Sequence, residues 1–245
     1  MFHVRGIVAD KETTAYVKVA RQQGAAIGNE VNILTQLNES IFPKVIDYDR
    51  ELGLFSVTAD MPGLRLSTIV EDNQDMASLS YMEEYGEALS KIHQMRVEAD
   101  KQADRRFYHP PTDEVLEKLD LAFLSEYFND KPSGEKTVFC HGDFHYANLL
   151  WKDSHISAIL DFELAGYGDR DFDIAWALFV RPGQKFLKTN EERELFIKGY
   201  QKNGDCNIEA VKYYMAQCYT YFMRMCYDDQ EYCEYIRDWL KANCI

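Results

Sequence analysis

The 245-residue chain lacks the features that would carry it into a membrane or onto nucleic acid. Its longest uninterrupted apolar run, Ile174–Val180, is far shorter than the roughly 20 residues that a transmembrane helix needs. Lysine and arginine number 27 against 41 aspartates and glutamates, which gives a formal net charge of −14. Because nucleic acids and anionic membranes bind basic surfaces, we expect neither as a partner. The excess of carboxylates suits a cationic ligand, or it simply keeps the surface soluble.

Paired cysteines are also missing. The chain has six cysteines, but none forms a Cys-x-x-Cys pair, and Cys218, Cys226 and Cys233 lie in apolar, helix-like sequence. A free cysteine in such a setting behaves as a small hydrophobic residue, so the pattern favours a reduced cytoplasmic protein over a disulfide scaffold. The first residues contain no basic segment followed by an apolar one, so no signal peptide is expected.

The first 60 residues carry the pattern of an antiparallel sheet with one helix. Runs of β-branched and apolar residues predict strands at positions 2–9, 14–20, 45–48 and 52–58. Between the second and third runs, residues 25–37 show apolar side chains at helical spacing. Met61-Pro62-Gly63 then interrupts the pattern, and we place the boundary between two lobes there.

The second half is mostly helical, which makes the predicted fold class α+β. Helical spacing is found at 79–93, near 113–128 and from 190 to the end. A hairpin is predicted at 148–151 and 156–160, around a turn at residues 152–155.

Polar residues stand at both ends of this hairpin. Asn148 comes just before its first strand and Asp161 just after its second, so a tight turn returns both side chains to the same end. An amide carbonyl beside a carboxylate suits Mg²⁺, which keeps waters and nucleotide phosphates as its other ligands. Asp143, in the same loop, can accept a proton from an attacking hydroxyl. Phosphoryl transfer requires this set of groups.

A cation for the phosphates is present upstream. Lys18 lies in the middle of a predicted strand, and Glu30 follows on the predicted helix. An ammonium on a strand, paired with a glutamate on a helix, is the arrangement that presents a positive charge to nucleotide phosphates.

Three longer motifs connect these residues. They are His141-Gly142-Asp143-Phe144-His145 with Asn148, then Ile159-Leu160-Asp161-Phe162-Glu163, then Gly168-Asp169 with Asp173-Ile174-Ala175. This series resembles the aminoglycoside phosphotransferase and choline kinase superfamily, whose members are small-molecule kinases with a protein-kinase-like fold. Weaker likenesses occur at residues 61–66, 88–93 and 196–200.

The resemblance implies a two-lobed, protein-kinase-like fold. A small β lobe would occupy residues 1–60 and would be shortened at its N-terminus, without the family's first strand and phosphate-covering loop. A larger, mostly helical lobe would occupy residues 61–245, with a catalytic loop at 141–148 and a metal-binding segment at 161–163. The nucleotide, ATP or GTP, would bind between the lobes.

The resemblance also implies roles for the residues around the transferred phosphate. Asp143 would be the catalytic base, and Asn148 and Asp161 would bind Mg²⁺. Lys18 would hold the phosphates, and Glu30 would orient Lys18.

Residues outside this group have implied roles as well. The backbone of Ala59, Asp60 and Met61 would form hydrogen bonds with the nucleotide base. His141 would pack the loop, and Asp173, at a helix start, would cap that helix and support the site.

The implied activity is transfer of the γ-phosphate of Mg-ATP to a hydroxyl of a small molecule, such as an aminoglycoside-like antibiotic, an amino alcohol or a sugar. The stretch after Asp161 is too short for the activation segment on which protein kinases dock peptides. Candidate contacts to the acceptor are the carboxylates of Glu163, Asp228, Asp229 and Glu231, although a place on the solvated surface is the stronger expectation for each.

Two alternatives remain open at this point. A nucleotide-binding pseudokinase or regulatory scaffold would explain the shortened N-terminus. A metal-dependent hydrolase would use His141, Asp143 and His145 as a ligand cluster, although such sites usually take ligands from distant segments.

Overall fold

An antiparallel sheet and one helix form the N-terminal part of the protein. The computed structural model describes residues 1–8, 10–20 and 26–244. Within them, strands pair in the order β1-β2-β4-β3, and their bounds are β1 (Phe2–Val8), β2 (Lys11–Val19), β3 (Val45–Tyr48) and β4 (Phe55–Ala59). Helix α1 (Ile27–Leu34) joins β2 to β3 and packs against β3 and β4. Tyr16 and Lys18 share one face of β2, because side chains two residues apart on a strand point the same way.

Helices are the main regular elements of the remaining described chain. They are α2 (Leu66–Val70), α3 (Leu79–His93), α4 (Asp113–Lys118), α5 (Ser125–Asn129), α6 (Arg170–Leu178), α7 (Asn190–Tyr200), α8 (Ile208–Met225) and α9 (Gln230–Asn243). Two antiparallel strand pairs are added to them: β5 (Thr137–Cys140) with β8 (Gly166–Asp169), and β6 (Leu149–Lys152) with β7 (His155–Ile159). No helix in the described residues has the length and apolar character needed to cross a bilayer.

Helices α3 and α7 pack backbone against backbone at two glycines. A Cβ atom at Gly86 would overlap the carbonyl oxygen of Phe196, and one at Gly199 would overlap that of Glu83. Neither position has room for a side chain. The core around this contact includes Tyr85, whose ring lies 4.9 Å from that of Phe196 and 5.3 Å from that of Phe144. Phe144 therefore anchors the loop that precedes β6 in the core.

The predicted α+β class is confirmed, and helix α3 has the predicted bounds. The last strand of the sheet begins at Phe55 rather than Leu52, because Asp49 accepts hydrogen bonds from the N–H groups of Glu51, Leu52 and Leu54 and holds that stretch in a turn. The helix predicted near 113–128 is interrupted: α4 ends at Lys118, Asp120 has a φ of 59°, and α5 begins at Ser125.

Candidate active site

Lys18 lies at the centre of a group of carboxylates. Its Nζ is 2.9 Å from Glu30 Oε2, 3.0 Å from Asp161 Oδ1 and 3.4 Å from Glu163 Oε1. The side chains of Lys18 and Glu30 are only 16% and 6% exposed. Burial alone would lower the pKa of Lys18. The charges of Glu30 and Asp161 outweigh this effect, so the pKa of Lys18 is raised. Burial also raises the pKa of Glu30, against the attraction of Lys18. The ion pair expected between Lys18 and Glu30 is thus present.

Asp161 reaches Lys18 from the turn that follows β7. Its φ of 67° lies in the left-handed region, which aspartate enters more readily than most residues. The next residue is tied to helix α1, because the N–H of Phe162 donates to Glu30 Oε1 at 3.2 Å. Glu30 therefore holds both the ammonium of Lys18 and the turn that presents Asp161.

Asp143 lies in the loop before β6 with both carboxylate oxygens engaged. Trp176 Nε1 donates to Oδ1 at 2.9 Å, Asn148 Nδ2 donates to Oδ2 at 3.1 Å, and His145 Nε2 lies 3.6 Å from Oδ2. Burial alone would raise the pKa of Asp143, but His145, the charge of Arg181 and the Trp176 N–H outweigh it and lower the pKa to about 2. Asp143 is therefore an anion at neutral pH.

The amide of Asn148 is oriented by the same loop. Its Nδ2 donates to the backbone oxygen of Asp143 at 2.9 Å as well as to the carboxylate. With the nitrogen held in this way, the carbonyl oxygen is the group left for a ligand. Asn148 and Asp161 line one cavity, as the hairpin between them predicted.

Asp173 supports the loop directly. Its carboxylate accepts the backbone N–H groups of His141 at 2.9 Å and Gly142 at 3.0 Å, and it lies 3.1 Å from His93 Nε2. The expected capping role is wrong, because the N-cap of α6 is Asp169, which accepts from the N–H of Asp171.

The ring of His141 is packed inside the protein. The side chain is fully buried, and Nε2 lies 3.0 Å from the carbonyl oxygen of Leu160. His141 therefore does not join Asp143 and His145 in a metal-binding cluster. Among residues 1–8, 10–20 and 26–244, the geometry of a three-ligand group occurs at buried His93, Cys140 and Asp173.

Two cavities meet at Lys18 and Asp161. The first, of about 500 Å³, is lined by Tyr16, Asn148 and the connection after β4. In that connection, the N–H of Ala59 donates to Lys44 O and that of Asp60 to Thr14 O, so neither is free for a nucleotide base.

The N–H of Met61 has no hydrogen-bond partner in the part of the chain that the structure describes. Of the three residues predicted to contact the base, Met61 is therefore the one with an available donor.

Sequence reasoning did not single out Tyr16, and it offered four acidic residues as candidate acceptor contacts. Tyr16 lines the first cavity, and its position two residues before Lys18 on a strand was the available signal. Glu163 contacts Lys18 and lines the second cavity. The other acidic candidates, Asp228, Asp229 and Glu231, are exposed and line neither cavity.

Comparison with known proteins agrees with this geometry. A family model described as "Phosphotransferase enzyme family" matches residues 7–204. The fold is similar to amicoumacin kinase hAmiN, solved with AMP-PNP, Ca²⁺ and Ami (TM-score 0.60, 14% identity, 98% of this chain and 85% of that chain). It is also similar to aminoglycoside phosphotransferase APH(4)-Ia (TM-score 0.63, 13% identity, 99% of this chain and 88% of that chain). A third similar structure is macrolide 2'-phosphotransferase MphH from Brachybacterium faecium (TM-score 0.59, 16% identity, 97% of this chain and 88% of that chain). At these identities the structural matches show the fold.

Proposed function

Because the chain belongs to the phosphotransferase enzyme family, we propose that it transfers the γ-phosphate of Mg-ATP to a hydroxyl group of a small molecule. The observation that carries the proposal is the convergence of Lys18, Asn148 and Asp161 on one cavity, with Asp143 bonded to Asn148. Such a set supplies a cation for the phosphates, oxygen ligands for a metal and a carboxylate for the acceptor hydroxyl. We assign the sheet at 1–60 and the helical part at 61–245 as the two lobes.

The first cavity suits the nucleotide base. Tyr16 offers an aromatic ring on the face of β2 that carries Lys18, and Met61 offers a backbone N–H to which no described residue is hydrogen-bonded. A base stacked there directs its phosphates toward Lys18. The solved neighbour hAmiN contains AMP-PNP, which supports a nucleoside triphosphate as co-substrate.

Asn148 and Asp161 would hold Mg²⁺. Their donors are a carbonyl oxygen and a carboxylate, which are the hard oxygen ligands that Mg²⁺ prefers, and the two residues share a cavity. When bound, the ion neutralises charge on the phosphates. Lys18 now contacts Asp161, so we expect its ammonium to turn toward the phosphates while Glu30 keeps it at the site.

Asp143 orients the acceptor hydroxyl and takes up its proton as the bond to phosphorus forms. A carboxylate with a pKa of about 2 is fully ionised at neutral pH, but it is a weak base. Its contribution is therefore mainly to hold the hydroxyl in line, which suits a loose transition state. Trp176 and Asn148 keep the carboxylate in place for this task.

The test is Asp143→Asn, assayed with Mg-ATP against a panel of hydroxylated antibiotics, sugars and amino alcohols. We expect kcat to fall by roughly 10²–10⁴, the usual contribution of a positioned acid–base group. Nucleotide binding should change little. Asp153→Asn is the matched control, because Asp153 is exposed in the turn between β6 and β7. Activity of the Asp143 variant within threefold of the wild type would remove Asp143 from this role.

A further inference from the structure

The second cavity lies on the other side of Lys18 from the connection after β4. It has a volume of about 940 Å³ and shares Lys18 and Asp161 with the first cavity. Its opposite wall is formed by the segment 100–105, which joins α3 to the region before α4. A group bound in this space would lie next to the phosphate-binding end of the site.

The wall is held firmly in place. The N–H of Tyr167 donates to Asp100 O at 2.8 Å, and the N–H of Gln102 donates to Tyr167 O at 3.0 Å, so the segment runs beside β8. A Cβ at Gly166 would lie 2.6 Å from Asp100 O, and one at Gly168 would overlap the side chain of Gln102. Gly166 is thus required for this backbone contact, whereas the side chain of Gln102 can move away from position 168.

The wall carries two cations without partners. Lys101 and Arg105 both line the cavity, and no carboxylate in the described ranges lies within ion-pair distance of either. Arg105 is partly buried, with its guanidinium 5.6 Å from the ring centroid of Phe107. Asp100 also lines the cavity; it is exposed, as is Lys101, and it forms no ion pair with either cation.

A series of contacts connects Arg105 to Asp143, although Asp143 does not itself line this cavity. The ring of Phe107 stacks on Trp176 with centroids 4.6 Å apart, and Trp176 Nε1 donates to Asp143. The carboxylates at the opposite end of the cavity, Asp161 and Glu163, are already engaged by Lys18. The cavity is lined by three cations, Lys18, Lys101 and Arg105, and by as many carboxylates, and the two cations on the wall at 100–105 are those without a carboxylate partner in the described ranges.

We propose that Lys101 and Arg105 form an anion-binding subsite for the acceptor, which selects hydroxyl compounds that also carry a carboxylate or phosphate group. This inference rests on the function proposed above. A guanidinium offers several N–H donors in one plane, a geometry that matches carboxylate and phosphate oxygens. Net charge alone suits a cationic ligand, whereas the placement of the charges around this cavity favours an anionic one. The triphosphate of the nucleotide is the other possible source of the anion.

The test compares matched acceptors and a charge-removing variant. Turnover with Mg-ATP is measured for D-gluconate and D-glucose 6-phosphate, for sorbitol and glucose, and for amino alcohols and aminoglycosides. We expect the anionic compounds to be the preferred class. Lys101→Gln/Arg105→Gln should raise their KM by about 10- to 100-fold, as for the loss of charge-assisted hydrogen bonds, while the KM for ATP changes less than about twofold.

The control is Arg96→Gln/Lys241→Gln, which removes the same charge from exposed positions that line neither cavity. Arg105→Lys should retain part of the affinity, because it keeps the charge but loses the planar group of donors. A rise in the KM for ATP alone would assign the cations to the triphosphate and overturn the proposal. Preference for neutral or cationic acceptors would overturn it as well.

Binding without turnover separates this proposal from the proposed function. The Tm is measured with Mg–AMP-PNP and each anionic compound. If no compound is phosphorylated but D-gluconate or D-glucose 6-phosphate raises the Tm of the wild type and not of Lys101→Gln/Arg105→Gln, the subsite stands and the kinase function fails. If neither compound is phosphorylated and neither raises the Tm, the subsite is refuted, whatever the enzyme does with other acceptors.

Discussion

Lys18 is a buried cation held by carboxylates from α1 and from the turn after β7. The charge of Lys18 therefore has to meet two requirements, one in the folded protein and one in the proposed reaction. Its charge is satisfied by Glu30 and Asp161 in the protein as described, yet the proposed chemistry requires that charge to act on a ligand. Glu30 is the more deeply buried partner, so it depends on Lys18 more than the other carboxylates do.

Removal of Lys18 should therefore destabilise the protein. Lys18→Met leaves Glu30 buried and without its cation, and we expect the free energy of unfolding to fall by about 3–5 kcal/mol. Lys18→Met/Glu30→Gln should recover most of this loss, because a neutral amide no longer needs a cation and can still accept from the N–H of Phe162. Urea unfolding at pH 7 measures both variants. A double variant no more stable than Lys18→Met would contradict this account.

The sequence motifs could not predict two features of the site at the level of single residues. The motif around Asp143 indicates its role, but not that Trp176 and His145 contact its carboxylate. Likewise, the position of Asp173 at a helix start predicted a cap, whereas its carboxylate binds the backbone before Asp143. The contacts of Trp176 with Asp143 and of Asp173 with His141 join residues about 30 positions apart in the chain, so no local pattern specifies them.

At the level of elements, the contact between α3 and α7 offers a stability test. Gly199→Ala would place a methyl group on the carbonyl oxygen of Glu83, so the helices must separate. We expect a loss of about 3 kcal/mol or more, at the upper end of overpacking effects. Gly28→Ala in α1 is the matched control, because open space surrounds that position and alanine favours a helix. Thermal and urea unfolding compare the two, and equal stability of both variants would refute the close packing.

Some elements could be predicted from the sequence and others could not. Helix α3 and the hairpin of β6 and β7 have strong periodicity or a clear turn, so short-range patterns indicate them. Strand β8 has the sequence Gly-Tyr-Gly-Asp, which local propensity disfavours as a strand. It is extended because β5 pairs with one edge and the segment 100–102 with the other.

At the scale of the whole molecule, the proposed nucleotide site joins the sheet to the helical part. Tyr16 and Lys18 lie on strand β2 of the sheet, and Asn148 and Asp161 belong to the mainly helical part. Mg–AMP-PNP at about 100 times its Kd should therefore raise the free energy of unfolding by about 2.7 kcal/mol.

Asp161→Ala should abolish the Mg²⁺-dependent part of this stabilisation, because it removes the carboxylate assigned to the metal. The Tm is compared with AMP-PNP in the presence of Mg²⁺ or of EDTA, with Asp153→Asn as the control. A wild-type response of Asp161→Ala to Mg²⁺ would move the metal to other ligands.

The sequence by itself determined the parts of this protein that depend on near neighbours in the chain. Strand and helix periodicity indicated an antiparallel sheet followed by helices, and the tight turn between β6 and β7 placed Asn148 and Asp161 at one end. The tertiary structure decided which distant groups surround them. Lys18 and Asp161 are 143 residues apart, and Lys101 and Arg105 line the same cavity on a segment that is hydrogen-bonded to Tyr167 of β8. Contacts between residues so far apart in the chain depend on how the sheet and the helices pack together. The local spacing of side chains cannot predict that packing.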